Sequence, residues 1–339
     1  MKDKEMLISI CITSYNRVRE LERLLNSIDC YNHVDDIEII VSEDKSPRKE
    51  EISSVVSNFI DNTPFKVVFN TNEQNLGYDR NLGKLKSLAN GIYIIYMSDD
   101  DVFIPKTLDN YIDFLKNNSC EVCFQPFVMN RRVYRKYPQN TYFDGNQVTL
   151  GKHIYDSILF SGLTFKRDAI IDIDAEKFLN TYYFQVFMFM TVGLKYGIHY
   201  YNEILIDSVC DGENGYGLSD SSEKNSDLAD RNSVFSDLEF NKGLLKVIGY
   251  FDKINGTSCK SVFAKEYSLR TLPGMLKARR MSKDTYKEYV NRLEGLDIDL
   301  TIVYKFYKYC INVLGVKLTS ILFAAPRKML FFIRKGGNA

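Results

Sequence analysis

Three consecutive carboxylates, Asp99, Asp100 and Asp101, come directly after the run Tyr93-Ile94-Ile95-Tyr96-Met97-Ser98. A short apolar run of this kind suits a strand buried on both faces. Carboxylates cannot stay unpaired inside such a core, so they must emerge at its carboxyl end. In an open α/β sheet that end is where ligands bind. Adjacent acidic side chains repel, and a divalent cation relieves the repulsion. Hard oxygen ligands favour Mg2+ or Mn2+, ions that commonly also hold substrate phosphates. The triplet therefore reads either as a metal–diphosphate site or as a solvated acidic turn.

The elements that would position these acids alternate along the first hundred residues. Residues 7–12 read as a buried strand leading into the polar turn 13–17. Leu21, Leu24, Leu25 and Ile28 then fall on one helical face. Residues 37–41 form a second strand ending in Glu43, Asp44 and Ser46. Ile52, Val55, Val56, Phe59 and Ile60 mark the next helix, residues 66–70 a third strand, and Leu82, Leu85 and Leu88 a third helix closed by Gly91. Strand and helix alternating at this spacing imply a parallel sheet of right-handed crossovers. Parallel strands place the turns after the first, second and fourth strands on one edge, where a ligand pocket is expected.

The usual phosphate cradles are absent. No G-x-G-x-x-G lies after the first strand and no G-x-x-x-x-G-K-[ST] occurs, which argues against dinucleotide enzymes and P-loop NTPases. A formal net charge of zero creates no global field toward nucleic acid. Seven cysteines form no framework, which fits a reducing compartment. Cys120 and Cys123 make a lone C-x-x-C; on a strand they would point to opposite faces, which is wrong for chelation. The N-terminus carries no signal-peptide pattern, and no stretch offers the roughly 20 apolar residues of a membrane-spanning helix.

Four ordered segments resemble the family 2 glycosyltransferases of the GT-A type, and more loosely the enzymes that add deoxyhexoses such as abequose to bacterial O-antigen. They are residues 10–17, residues 37–46, Asn75-Leu76-Gly77-Tyr78-Asp79-Arg80-Asn81, and residues 93–101. The resemblance implies a mixed, mainly parallel α/β sheet flanked by helices, a nucleoside-diphosphate sugar donor (UDP, CDP or GDP) and Mn2+ or Mg2+. By position it implies that Thr13 and Tyr15 line the nucleoside pocket. Arg17 belongs to the same nucleotide-sugar set, Asp44 accepts from the base, and Arg80 approaches the base or diphosphate. Asp99 binds the ribose, Asp100 ligates the metal, and Asp101 serves it directly or from behind, unless it caps the helix starting near Pro105.

The chain departs from the family pattern in three places. Ser98 stands at the first acidic position of the D-x-D. Glu43 and Lys45 replace the usual Asp and Gly. The acidic pair that supplies the general base of inverting members is expected near residues 183–186, which here hold no carboxylate. Asp207, Asp211 and Glu213 are the substitute candidates. A retaining mechanism, a base from another loop and a non-catalytic nucleotide-sugar-binding or scaffold protein of a polysaccharide assembly complex all stay open.

In the second half, residues 121–128 read as a strand near the sheet edge because of Pro126. Residues 160–168 resemble the family segment beneath the acceptor. Residues 178–194 read as a buried helix with Met188 and Met190 in the core. His199 reads as a core or edge residue, and His33 and His153 as surface residues. The expected division is a catalytic domain over residues 1–218, a polar loop or linker over 219–233, and a helical region over 234–339. After Asp299 there is no acidic residue, while Lys305, Lys308, Lys317, Arg327, Lys328, Arg334 and Lys335 are basic. Val303, Phe306, Tyr307, Cys310, Val313 and Leu314 would share one apolar face. Such a tail suits the anionic inner face of a bacterial plasma membrane, where a polyprenyl-diphosphate-linked oligosaccharide acceptor would lie; packing on its own domain or on a partner chain is the other reading.

Overall fold

The computed structural model describes residues 6–209, 211, 230 and 233–336, with side chains of the last helix up to Phe323. Glu213, the loop around it, most of the stretch 219–233 and the side chains of Arg327, Lys328, Arg334 and Lys335 lie outside the described residues.

The alternating first half builds β1 (Ile8–Ser14), α1 (Val18–Ser27), β2 (Ile37–Glu43), α2 (Lys49–Asn62), β3 (Lys66–Thr71), α3 (Tyr78–Leu88) and β4 (Tyr93–Ser98). Next come β5 (Asp101–Phe103), α4 (Leu108–Asn117), β6 (Val122–Phe124), β7 (Phe127–Met129), β8 (Arg132–Tyr134), β9 (Thr141–Phe143), α5 (Gln147–His153), β10 (Thr164–Lys166), α6 (Arg167–Ile170), α7 (Phe184–Tyr196), β11 (Ile198–Tyr200) and β12 (Ile206–Ser208). Four helices complete the chain: α8 (Ser236–Asn255), α9 (Cys259–Met281), α10 (Lys283–Glu294) and α11 (Ile302–Gly336).

The main sheet runs β3-β2-β1-β4-β10-β6-β11-β9. Its first four strands are parallel, and β10 enters antiparallel between β4 and β6. A smaller sheet, β5-β12-β7-β8, stands beside it. The period-2 rule decides which core each side chain joins. Ile8, Ile10 and Ile12 pack with α1, α2 and α4, whereas Cys11, Ile94 and Tyr96 pack with α3 and α7. The second of these cores continues without a break into α8, α9, α10 and the start of α11. That continuity explains α7, whose Phe184, Val186, Met188, Phe189 and Met190 are all buried. A helix lying between a sheet and a further helical layer has no solvent face to make polar.

Several expectations are corrected. The segment with Pro126 is not an edge strand: β6 sits inside the main sheet between β10 and β11, and the chain breaks at Gln125-Pro126 before β7 joins the smaller sheet. Pro126 therefore marks the crossing between sheets. His153 is buried, with Nδ1 2.8 Å from Asp156. Cys120 precedes β6, so strand alternation does not govern it, and its thiol meets that of Cys123 and the ring of His199. Asp101 caps no helix; it opens β5, and α4 starts only at Leu108.

The last helix departs most from its sequence reading. Its apolar residues do not share one face. Tyr304, Tyr307, Cys310 and Ile311 are buried, while Ile302, Phe306, Tyr309 and Val313 are between 51% and 76% exposed. At Gly315 the backbone leaves the helix, with φ 69° and ψ 179°. Beyond it Thr319 Oγ1 donates to the Cys310 carbonyl at 3.0 Å, and the Phe323 ring lies 6.0 Å from that of Phe306. A straight helix would hold those two rings about 25 Å apart. The segment is thus a hairpin, and Leu318, Ile321 and Leu322 extend its exposed apolar surface.

Gly91, expected to close α3, does something else. The helix ends at Leu88 with Ala89 as its cap, and Gly91 lies directly on β1, its N–H donating to Ser9 Oγ at 2.8 Å. A Cβ there would stand 2.6 Å from the Ser9 backbone nitrogen. Gly91→Ala should cost about 1–3 kcal/mol through forced displacement. The check is a lowered urea midpoint at unchanged slope; an unaltered midpoint would contradict the close approach.

Candidate functional site

The register of the parallel strands sets the site. Thr13 is level with Ser42 on one side and Ser98 on the other. The chain therefore leaves all three strands side by side, and the turns it enters carry Tyr15, Asp44 and Asp99. These turns enclose a cavity of about 100 Å³. Thr13, Tyr15, Arg17, Asp44 and Asp99 all line it, five of the residues expected to bind donor. Its other walls are Asn75, Gly77, Asn81, Ser98 and the rings of Tyr78, Phe160 and Tyr182. Sequence reading missed these rings. They come from three separate elements, and an aromatic residue in a chain with 23 Tyr and 22 Phe carries no local signal of its own.

The acidic cluster is held by one arginine. Arg17 Nη1 lies 2.8 Å from Asp99 Oδ1 and 3.1 Å from Asp100 Oδ2. Asp99 Oδ2 also accepts the Tyr15 N–H at 3.1 Å. Burial pushes Asp99 up to about 6, with the Arg17 charge opposing it. Asp100 accepts the Ser98 hydroxyl at 2.5 Å and keeps 13% of its side chain exposed. Asp101 is enclosed against Ser161 and Ser208; burial, reinforced by the Asp100 charge, pushes it up to about 7. Of the two carboxylates expected to meet a metal, Asp100 is the accessible one.

Asp44 is buried, and its carboxylate holds a turn: it accepts the Leu76 N–H at 2.7 Å, the Gly77 N–H at 2.9 Å and the Asn72 amide at 2.9 Å. Burial raises its pKa against these donors. Glu43 is spent on its own turn, accepting the N–H groups of Lys45 and Ser46. Arg80 does not line the cavity. It pairs through two hydrogen bonds with Glu176, at 2.7 and 2.8 Å, over a separate cleft. Its neighbour Asn81 is the one turned inward, bonded to Ser42 and lining the cavity. On a helix, consecutive residues sit about 100° apart, so only one of the pair can face the site.

Of the two candidate bases among the described residues, Asp207 and Asp211, it is Asp211 that is drawn to the acidic cluster. Arg23 grips it with two 2.7 Å bonds while donating to the Asp100 carbonyl at 3.1 Å. Asp207 pairs with Val102 in β5, whereas its neighbour Ser208 pairs with Asp101. Strand alternation therefore turns Asp207 to the opposite face.

No group of three or more His, Cys, Asp or Glu side chains is arranged to hold a metal among the described residues. A hard cation that shares its ligands with a substrate diphosphate needs only one or two carboxylates. Asp100, accessible and beside a cavity that also contains Asp99, fits that requirement.

Comparison with known proteins gives one family. The family model described as glycosyl transferase family 2 matches residues 9–173. The abequosyltransferase RfbV of Salmonella typhimurium is 33% identical over 238 residues, 62% of this chain and 68% of that protein. An uncharacterized glycosyltransferase of Methanocaldococcus jannaschii is 27% identical over 113 residues, covering 33% of this chain and 38% of its own. Among solved structures, S. aureus TarS 1-349 in complex with UDP-GlcNAc aligns with TM-score 0.52 and 15% identity over 86% of this chain and 92% of that one. The mannosyltransferase PcManGT from Pyrobaculum calidifontis, in complex with GDP-Man and Mn2+, aligns with TM-score 0.52 and 12% identity over 97% and 81%. The fold is that of the GT-A glycosyltransferases.

The raised Asp101 pKa makes a stability prediction for the nucleotide-free protein. The folded state binds this proton more tightly than the unfolded chain, whose aspartates titrate near 3.9. The resulting stabilisation is complete below about pH 4 and is lost as the pH rises through about 7. Asp101→Asn removes that titration, so its melting temperature should fall less than that of the parent between about pH 5 and 7. Parallel curves would contradict the shift.

Proposed function

The chain belongs to glycosyl transferase family 2, and from that premise we propose that it moves a sugar from a nucleoside-diphosphate sugar to a lipid-linked O-antigen or other cell-surface oligosaccharide. The sugar we favour is a deoxyhexose such as abequose, on the strength of the relative that covers most of the chain. The observation that carries the reading is convergence: the turns after β1, β2 and β4 meet around one cavity beside an acidic cluster. The solved neighbours are complexes with UDP-GlcNAc and with GDP-Man, which supports a nucleotide-sugar donor.

In this reading Thr13, Tyr15 and Asp44 hold the nucleoside, and Asp99 meets the ribose. Arg17 and Asp100 face the diphosphate. Asp100, backed by Asp101, would hold Mn2+ or Mg2+; such an ion stabilises the negative charge of the departing nucleoside diphosphate. Arg17 bridges Asp99 and Asp100, which places its charge where the phosphates of a donor would approach. Its distance from both carboxylates supports that role.

The acceptor side favours a membrane surface. The hairpin of α11 exposes several large apolar side chains on a segment whose charged side chains are all basic. Packing on its own domain accounts for Tyr304, Tyr307 and Ile311 but leaves Phe306, Tyr309 and Val313 in water. No helix among the described residues is long and apolar enough to cross a membrane, which fits side chains lying in the interface of the inner leaflet.

Two experiments test these assignments. Asp100→Ala should lower sugar transfer by about 100-fold or more and abolish the Mn2+-dependent part of the thermal shift given by UDP, CDP or GDP. Transfer at the parental rate would end the metal assignment, and failure of the parent to release nucleoside diphosphate would favour a non-catalytic binding protein. Replacing Phe306 and Tyr309 together by Ser should weaken sedimentation with vesicles containing anionic lipid by about tenfold or more, given about 1.5–3 kcal/mol per buried large apolar side chain. Equal sedimentation of parent and variant would remove the membrane from the picture.

A further inference from the structure

The stretch where family members carry an acidic pair holds, in this chain, an aromatic turn: Tyr182, Tyr183 and Phe184. The turn has an unusual backbone. Asn180 and Tyr182 both have positive φ, 60° and 62°, a region that bulky residues seldom occupy. It also opens α7, whose first N–H groups have no side-chain cap from their own helix and need an acceptor from elsewhere.

That acceptor is Asp79, in the first turn of α3. Its Oδ2 accepts the N–H of Thr181 at 3.2 Å and of Tyr182 at 3.1 Å, and its Oδ1 accepts the N–H of Phe184 at 3.1 Å. The carboxylate is 2% exposed, and burial pushes it up to about 7 against these donors. The turn is pressed from the other side by α8: a Cβ on Gly243 would stand 2.2 Å from the Thr181 carbonyl, and the Phe240 ring lies 5.8 Å from that of Tyr182. The Tyr182 ring lines the cavity, 6.4 Å from the ring of Tyr78, the residue immediately before Asp79.

We infer that Asp79 is a positioning residue for the donor: by anchoring the turn 181–184 it fixes Tyr182 as a wall of the nucleotide-sugar cavity, beside Tyr78. One turn of α3 thus supplies one ring of that wall directly and sets its neighbour through hydrogen bonds. Asp79 does not itself line that cavity. The inference rests on the cavity being the donor site, as proposed above.

The test is a double-mutant cycle on nucleotide affinity, with UDP, CDP and GDP each titrated in the presence of Mn2+. Asp79→Ala and Tyr182→Ala should each weaken the bound nucleotide about tenfold, and the double variant should be no weaker than Tyr182→Ala alone. Asp79→Asn, whose carbonyl oxygen still accepts from the turn, should recover part of the loss and serves where Asp79→Ala does not fold. In turnover, Asp79→Asn should raise the donor KM more than it lowers kcat. Independent losses that multiply in the double variant, or a lowered melting temperature with unchanged affinity, would overturn the inference while leaving the donor site intact. A parent protein that binds none of the three nucleotides would overturn both.

Discussion

A sheet covered on both faces can carry charge only at its ends. In this chain the constraint acts on three parallel strands at once. β1, β2 and β4 are filled with Ile, Val, Met and Tyr, and their register is fixed by two helical layers that claim alternate side chains. The polar residues of the three turns therefore surface at one level, and Asp44 and Asp99 come to line one cavity. Their repulsion and their burial are then managed locally, by Arg17 for the triplet and by the N–H groups of Leu76 and Gly77 for Asp44. The site is a consequence of where the core runs out.

That logic also divides what is legible in the sequence from what is not. Strands and helices with clean periodicity, such as the runs around Ile39 and Leu85, are legible because one spacing serves one core. Thr13, Tyr15 and Asp44 are legible because each lies at or just past the end of such a strand. Arg80 misleads because helical rotation, not sequence position, chooses between it and Asn81. Pro126 misleads because a strand can stop inside one sheet and resume in another. Tyr182 leaves no signal, since its backbone is held by a carboxylate about a hundred residues earlier. The two-sided character of α11 is hidden because apolar periodicity counts faces without saying what covers them.

The C-terminal helices are more than an appendage. They share a core with α7, and α8 touches the turn that carries Tyr182. The segments on either side of residue 233 thus share one apolar core. The apolar continuity of α7 has the same origin, because the helix lies between the sheet and this extra layer.

The contact between Gly243 and Thr181 limits how such an enzyme can be rebuilt. A side chain at position 243 would press on the Thr181 carbonyl and so on the turn that carries the aromatic wall. The shape of the cavity wall is therefore tied to the helical layer behind it.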